Sequence, residues 1–235
     1  MNLYLDIETV PGPHCKDAIA TMAARREEEP DKFAATSPWL CEIKCISHWD
    51  ENRGMISLLN GSAHPATTNT DRGERRYFSS EEALLGHFNA GLVYPLHSLI
   101  TFAGRMFDLP TLYHRSIRNG VKVSHILRDA ANEYRFKPDA NYDLQEILTF
   151  FGATCRRPSL REVCIGYGLP DPKAGGDGGS VKNMSLEDIA TYCEGDVMAV
   201  IRIHEILLGR RVGKKPKPKD EPVLALRERE VDCPF

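Results

Sequence analysis

Four acidic residues, placed in three widely separated segments of this 235-residue chain, constrain its fold more than any other feature. Asp6 and Glu8 come near the start, Asp108 near the middle, and Asp196 near the end, four residues after Tyr192. Together the four acids predict a cage of carboxylates around two divalent metal ions, because such hard cations prefer oxygen ligands. The fold must therefore bring both ends of the chain and its middle to one place.

The residues around Asp6 and Glu8 predict a β-strand over 3–8, because apolar and non-apolar positions alternate there. Residues two apart in a strand project from the same face, so the two carboxylates would lie side by side. Two adjacent negative charges repel each other unless a cation lies between them. An exposed edge strand with two solvated acids is the ordinary alternative for an isolated pair of this kind.

The other two acidic segments also have ordinary alternatives. Asp108 follows a short apolar strand and precedes a predicted helix, so it could simply cap the first amides of that helix. Tyr192 and Asp196 are one helical turn apart and therefore neighbours on a helix surface. A phenol and a carboxylate at this spacing could be an ordinary surface pair.

The order of predicted elements indicates an α/β fold, a mixed sheet flanked by helices. Strands are predicted at 3–8, 41–49, 53–59 and 98–102, and helices at 15–29, 79–92, 109–119, 143–151, 159–167 and 185–208. The helix at 79–92 is predicted from a capping box of Ser79 and Glu82, and residues 60–75 are predicted to be a polar loop. We expect one domain over 1–208, followed by a basic, proline-rich tail over 209–235.

Composition narrows the class of protein. A net charge of −3 excludes a strongly basic binder of the histone type, although local basic rims remain compatible with nucleic acid. The sequence shows no signal-peptide pattern and no run of about 18 apolar residues, so we expect a cytoplasmic protein. The seven cysteines are scattered among apolar segments, which predicts reduced thiols in the core.

The three acidic segments resemble the exonuclease motifs of the DEDD superfamily, the proofreading-type 3′–5′ exonucleases with a ribonuclease-H-like fold. Tyr192, four residues before Asp196, places the resemblance in the tyrosine branch (DEDDy). More specifically, the chain is similar to predicted exonucleases related to the proofreading domain of family-B DNA polymerases. Residues 142–148 (YDLQEIL), 159–163 (SLREV), 166–170 (GYGLP) and 192–197 (YCEGDV) carry this likeness, which covers most of 1–208. Related enzymes usually have Asn where this chain has Ala103.

The resemblance implies a catalytic mechanism. Asp6, Glu8, Asp108 and Asp196 would bind two Mg²⁺ or Mn²⁺ ions, an arrangement that serves in-line displacement at phosphorus. Tyr192 would orient the attacking water and the scissile phosphate, because a phenol with an ordinary pKa near ~10 is a poor base at neutral pH.

The resemblance also implies a substrate, the 3′ end of single-stranded nucleic acid, with DNA favoured over RNA. Thr9, Phe102, Phe107 and Lys173 are the candidate substrate contacts, although packing of the aromatic rings and solvation of Lys173 are ordinary alternatives. The six Lys or Arg residues in 210–219 could follow the nucleic-acid backbone or simply be a solvated terminus. A non-catalytic nucleic-acid-binding or polymerase-associated module on the same fold, and an RNA-processing exonuclease, remain alternatives.

Overall fold

The computed structural model describes residues 2–13, 16–93, 96, 98–136, 138–154, 156–172 and 178–209, with only the backbone of 178–180. The strands in this part are β1 Asn2–Pro11, β2 Cys41–Asp50, β3 Gly54–Asn60, β4 Ala66–Asn69, β5 Gly73–Phe78, β6 Ser98–Thr101 and β7 Asn141–Asp143. The helices are α1 Lys16–Ala24, α2 Pro30–Ala35, α3 Glu81–Gly91, α4 Asp108–Arg118, α5 His125–Asn132, α6 Leu144–Leu148, α7 Leu160–Gly166 and α8 Leu186–Leu207, with a 3-10 turn at Gly178–Asn183.

The seven strands form one mixed sheet in the order β4-β5-β3-β2-β1-β6-β7. Strand β1 pairs antiparallel with β2 and parallel with β6, which in turn pairs parallel with β7. On the other side, β3 pairs antiparallel with β2 and parallel with β5, and β4 pairs antiparallel with β5. The predicted α/β class, a mixed sheet flanked by helices, is confirmed.

The alternation of β1 directs its side chains to two different cores. Leu3, Leu5 and Ile7 are buried in one core with apolar residues of α3, α4 and α5. Tyr4 faces the other side and belongs to a second core that includes Val197, Val200 and Ile201 of α8. Asp6 and Glu8 follow Tyr4 in the same alternation, so they project on the side of the sheet that α8 covers.

Several predicted boundaries agree with the structure and others do not. The strands at 41–49 and 53–59 and the helices at 109–119, 159–167 and 185–208 are confirmed within a residue or two. The helix predicted over 15–29 ends early, at Ala24, because the chain then turns through a left-handed backbone at Glu27, and a separate helix, α2, begins at Pro30. Ser80, rather than the predicted Ser79, caps α3 by accepting a hydrogen bond from the amide of Ala83.

The prediction of a loop over 60–75 is wrong. Strand β4 lies at the edge of the sheet with all four residues exposed, so it has no apolar alternation to reveal it. Strand β5 is polar, and its first residue lies so close to β3 that a Cβ at Gly73 would be 2.2 Å from the carbonyl oxygen of Met55. Backbone pairing, rather than an apolar pattern, therefore defines this side of the sheet.

Four cysteines in the described residues, Cys41, Cys45, Cys164 and Cys193, are buried free thiols, as the sequence predicted. None of the helices within the described ranges is long and apolar enough to cross a membrane. Lys173 and residues 210–235 of the predicted tail lie outside the described residues.

Two glycines give opposite predictions for the same substitution. Gly73→Ala should lower the free energy of unfolding by about 1–3 kcal/mol, because the added methyl group would overlap the backbone of Met55. Gly86→Ala should raise it by about 0.5–1 kcal/mol, because Gly86 lies inside α3 and a Cβ there would contact nothing within 4 Å. Urea unfolding of both variants measures the difference, and equal effects would contradict the described β3–β5 contact.

Candidate active site

Three of the four predicted acids meet at the junction of β1 and α8. Asp6 and Glu8 of β1 and Asp196 of α8 each present a carboxylate oxygen, and these oxygens all lie within 4.8 Å of one another. We call these three residues the carboxylate cluster. In β1, the pairing with β2 shifts register between Glu8 and Thr9, directly after the second acid of the cluster.

The carboxylate cluster brings like charges together with reduced access to water, since Asp196 is buried and Asp6 and Glu8 are half-buried. The pKa of Asp6 is raised well above its ordinary value, first by burial and then by the negative charges of Asp196, Asp108 and Glu8. A divalent cation among these oxygens would relieve both effects. The donor set, carboxylate oxygens alone, suits a hard cation such as Mg²⁺ or Mn²⁺.

Asp108 lies near the carboxylate cluster, but it is not one of the three residues whose oxygens lie within 4.8 Å of one another. It is buried at the first position of α4, and burial, followed by the charges of Asp143 and Asp196, raises its pKa to about 8. The alternative that Asp108 caps α4 is wrong, because the N-cap position is Phe107 and no side-chain capping bond forms. The role of Asp108 as a fourth ligand stays a prediction, since its carboxylate is outside the group of three.

Tyr192 lies one turn before Asp196 on α8 and is half-buried. Burial and then the nearby negative charge of Asp196 raise the pKa of its phenol above the ordinary value. The phenol is therefore protonated at neutral pH, a state in which it can donate a hydrogen bond but cannot accept a proton as a base.

A buried ion pair that the sequence analysis missed fixes α8 against the sheet. Arg75 of β5 donates two hydrogen bonds to Glu194, from Nε to Oε1 at 2.8 Å and from Nη2 to Oε2 at 2.9 Å. Ser57 of β3 donates to the same carboxylate at 2.9 Å. Glu194 lies between Tyr192 and Asp196 in the sequence, so this contact sets the rotation of the helix that presents them.

The thiol of Cys193 makes a second polar contact between α8 and the sheet, in this case with β1. Its Sγ lies 3.3 Å from Oδ2 of Asp6 and 3.4 Å from the carbonyl oxygen of Asp6. The spacing of Cys193 in the apolar stripe of α8 predicts its burial, but no sequence signal distinguishes a thiol that contacts the acid from one that only packs.

Asp143, also missed, supports the loop before Asp108. It accepts hydrogen bonds from the backbone amides of Ala103 and Arg105, both at 3.0 Å, and it caps α6. Ala103 has a φ of 62°, in the left-handed region that Asn tolerates better than Ala. The position of Asp143 at the start of the predicted helix 143–151 is a signal that could have revealed its capping role, whereas its contact with the loop depends on the pairing of β6 with β7.

The candidate substrate contacts have different environments. The hydroxyl of Thr9 donates to the carbonyl oxygen of Ala35 at 2.7 Å, so it has a structural role in this conformation. Phe107 packs partly buried against the core of α3, α4 and α5, and Phe102 packs against the core that includes α8.

The chain is similar to known proteins in its sequence and in its fold. Residues 55–203 match the model of a family described as a predicted 3′–5′ exonuclease related to the exonuclease domain of PolB. That match contains Asp108, Tyr192 and Asp196, whereas Asp6 and Glu8 lie before it. No curated protein matches the chain.

Among solved structures, the chain is similar to the family B DNA polymerase from the hyperthermophilic archaeon Pyrobaculum calidifontis, with a TM-score of 0.53 and 15% identity. The similarity covers 88% of this chain and 24% of the polymerase chain. At this identity the likeness shows a shared fold, and the chain spans about a quarter of the polymerase's length.

Loss of the buried ion pair should be costly. Arg75→Ala leaves the buried Glu194 carboxylate without its cation and should lower the free energy of unfolding by about 3–5 kcal/mol. Arg76→Ala, on the next residue of β5, removes a partly exposed ion pair with Glu74 and should cost about 1 kcal/mol or less. Urea unfolding compares the two, and equal costs would show that Arg75 does not anchor α8.

The backbone at Ala103 gives a second stability prediction. Ala103→Gly should raise the free energy of unfolding by about 1 kcal/mol, because glycine adopts a positive φ without a Cβ clash. Ala20→Gly makes the same chemical change on the exposed side of α1 and should lower it by about 1 kcal/mol. Thermal unfolding of the pair provides the measurement, and two destabilised variants would argue against a strained Ala103.

Proposed function

The chain belongs to the family of predicted 3′–5′ exonucleases related to the exonuclease domain of PolB, and we propose that it removes nucleotides from the 3′ end of single-stranded nucleic acid. The proposal includes a preference for DNA over RNA and a requirement for Mg²⁺ or Mn²⁺. The observation that carries it is the convergence of Asp6, Glu8 and Asp196, from opposite ends of the described chain, on one site.

The carboxylate cluster and Asp108 would hold two divalent ions. When bound, the ions would activate a water molecule and neutralise the charge that develops at the scissile phosphate. The chain's own contribution is rigidity, because Asp6 and Glu8 are fixed by the register of β1 and Asp196 by the packing of α8. Such fixed ligands require little rearrangement during the reaction.

Tyr192 would position the substrate. Its protonated phenol can donate a hydrogen bond to the attacking water or to a non-bridging phosphate oxygen, and the raised pKa keeps that proton in place at neutral pH. Phe102 is the better placed of the two candidate aromatic contacts, because it lies on the core of the α8 side while Phe107 packs in the opposite core. The backbone at Thr9, rather than its engaged hydroxyl, would face the terminal nucleotide.

Isosteric substitution of the acids tests the proposal. Asp6→Asn and Asp196→Asn should each lower the rate of shortening of a 5′-labelled single-stranded DNA oligonucleotide by about 100-fold or more, since each removes a metal ligand. The wild-type ladder should start from the 3′ end, require Mg²⁺ or Mn²⁺ and stop with EDTA. Glu82→Gln, on the exposed side of α3, is the matched control and should cleave like the wild type.

Thermal unfolding gives a readout that does not depend on activity. In EDTA, Asp6→Asn should melt at or above the wild-type temperature because it removes one of several repelling charges. Added Mn²⁺ should stabilise the wild type and have a smaller effect on the variant.

Undiminished cleavage by both Asn variants would refute the proposed site, and strand binding without metal-dependent cleavage would favour the non-catalytic module. The same gel with RNA of matched sequence tests the sugar preference.

A further inference from the structure

Three exposed aromatic side chains and the half-buried ring of Phe151 lie in the segments of the chain that join α5 to α7. Tyr134 and Phe150 are 70% and 72% exposed, and Phe136 is also exposed. The ring of Phe136 contacts those of Tyr134 and Phe151, with centroid distances of 5.6 Å and 5.4 Å. We call these four residues the aromatic surface. Apolar rings held in water are costly unless something covers them part of the time.

The backbone that presents Phe150 is strained. Phe150 and Phe151 have φ values of 50° and 57°, in the left-handed region that bulky residues rarely adopt. The turn is held there by hydrogen bonds from the amides of Phe150 and Phe151 to the carbonyls of Ile147 and Glu146 in α6, at 3.0 Å and 2.6 Å. Such strain is characteristic of ligand-binding segments, where the fold keeps a side chain exposed.

An arginine that follows the turn of Phe150 and Phe151 in the chain contacts the loop before Asp108. Arg157 is exposed, and its guanidinium contacts the thioether of Met106, two residues before Asp108. Within the described part of the chain, Arg157 forms no ion pair with a carboxylate. On the other side, the guanidinium of Arg135 lies 5.8 Å from the centroid of the Phe136 ring. Glu146 neutralises Arg135 and also pairs with Arg105, three residues before Asp108. The rings therefore adjoin the loop before Asp108, and Arg157 supplies the positive charge there.

We propose that the aromatic surface and Arg157 bind the single strand behind its 3′-terminal nucleotide. Bases stack on Phe150 and on the Tyr134–Phe136 pair, and Arg157 contacts a backbone phosphate on the way to the carboxylate cluster. Aromatic faces beside cations are the general means of binding single strands without reading their sequence. The inference deepens the proposed function and depends on it for the position of the 3′ end.

Binding measured without cleavage tests this surface directly. In EDTA, anisotropy of a 5′-fluorescein-labelled oligothymidylate of 12 nucleotides should show about fivefold or greater weakening for Phe150→Ala and for Arg157→Ala. Phe150→Leu, which keeps an apolar side chain but no ring, should weaken binding similarly. The slope of log K against log salt should become shallower by about 0.7 for Arg157→Ala and stay unchanged for Phe150→Ala.

The chain offers matched control residues that are not part of the aromatic surface. Trp39 is 62% exposed and contacts His114, and its carbonyl oxygen accepts a hydrogen bond from Arg118 at the end of α4 opposite to Asp108. Arg128 is an exposed arginine on α5 that pairs with Asp129. Trp39→Ala and Arg128→Ala should bind the oligonucleotide like the wild type. Equal losses in the controls, or no loss in Phe150→Ala and Arg157→Ala, would overturn the inference.

A small substrate separates this inference from the proposed function. The p-nitrophenyl ester of thymidine 5′-monophosphate occupies only the terminal position, so Phe150→Ala should hydrolyse it like the wild type while its KM for the 12-mer rises about fivefold or more. An equal loss on both substrates would overturn the inference, because it would place Phe150 at the terminal position. A wild type that cleaves neither substrate, with Phe150-dependent binding intact, would overturn the proposed function alone.

Discussion

The close approach of like-charged carboxylates at the junction of β1 and α8 is the constraint on which the rest of the structure depends. Asp6, Glu8 and Asp196 repel one another and are partly or wholly removed from water, so the fold must supply the energy that keeps them together. Apolar packing supplies it on both sides of β1, through Leu5 on one face and Tyr4 against α8 on the other. The site is thus destabilised locally and held by the cores around it.

Helix α8 carries the second half of that constraint. Its apolar stripe fixes its distance from the sheet, and the Arg75–Glu194 ion pair fixes its rotation, because a bidentate pair tolerates little angular change. The Arg75–Glu194 contact therefore sets the directions in which Tyr192 and Asp196 project from α8. Arg75 also neutralises the carboxylate of Glu194. Glu194 therefore does not add to the repulsion among the acids of the carboxylate cluster.

The sequence predicts the convergence of three acids better than it predicts the strands of the sheet. The period of two in β1 and of nearly four in α8 determined which faces Asp6, Glu8 and Asp196 would occupy, and those faces do meet. Strands β4, β5 and β7 escaped prediction because they are short or polar and are defined by pairing with distant strands. For the same reason Arg75 gave no signal of its role and Asp143 gave none of its contact with the loop before Asp108, since each acts there on a partner far away in the sequence.

The position of the anchor on α8 has a consequence for how this sequence can diverge. Glu194, Tyr192 and Asp196 share one continuous helix, in which a single inserted or deleted residue turns everything beyond it by about 100°. Only changes that preserve the turn would keep the anchor in the sheet and the acid at the site together. The edge formed by β4 has no such coupling, because its four residues are exposed and pair with β5 alone. Insertions and deletions should therefore be tolerated at the β4 edge, whereas in the middle of α8 they would disrupt the site.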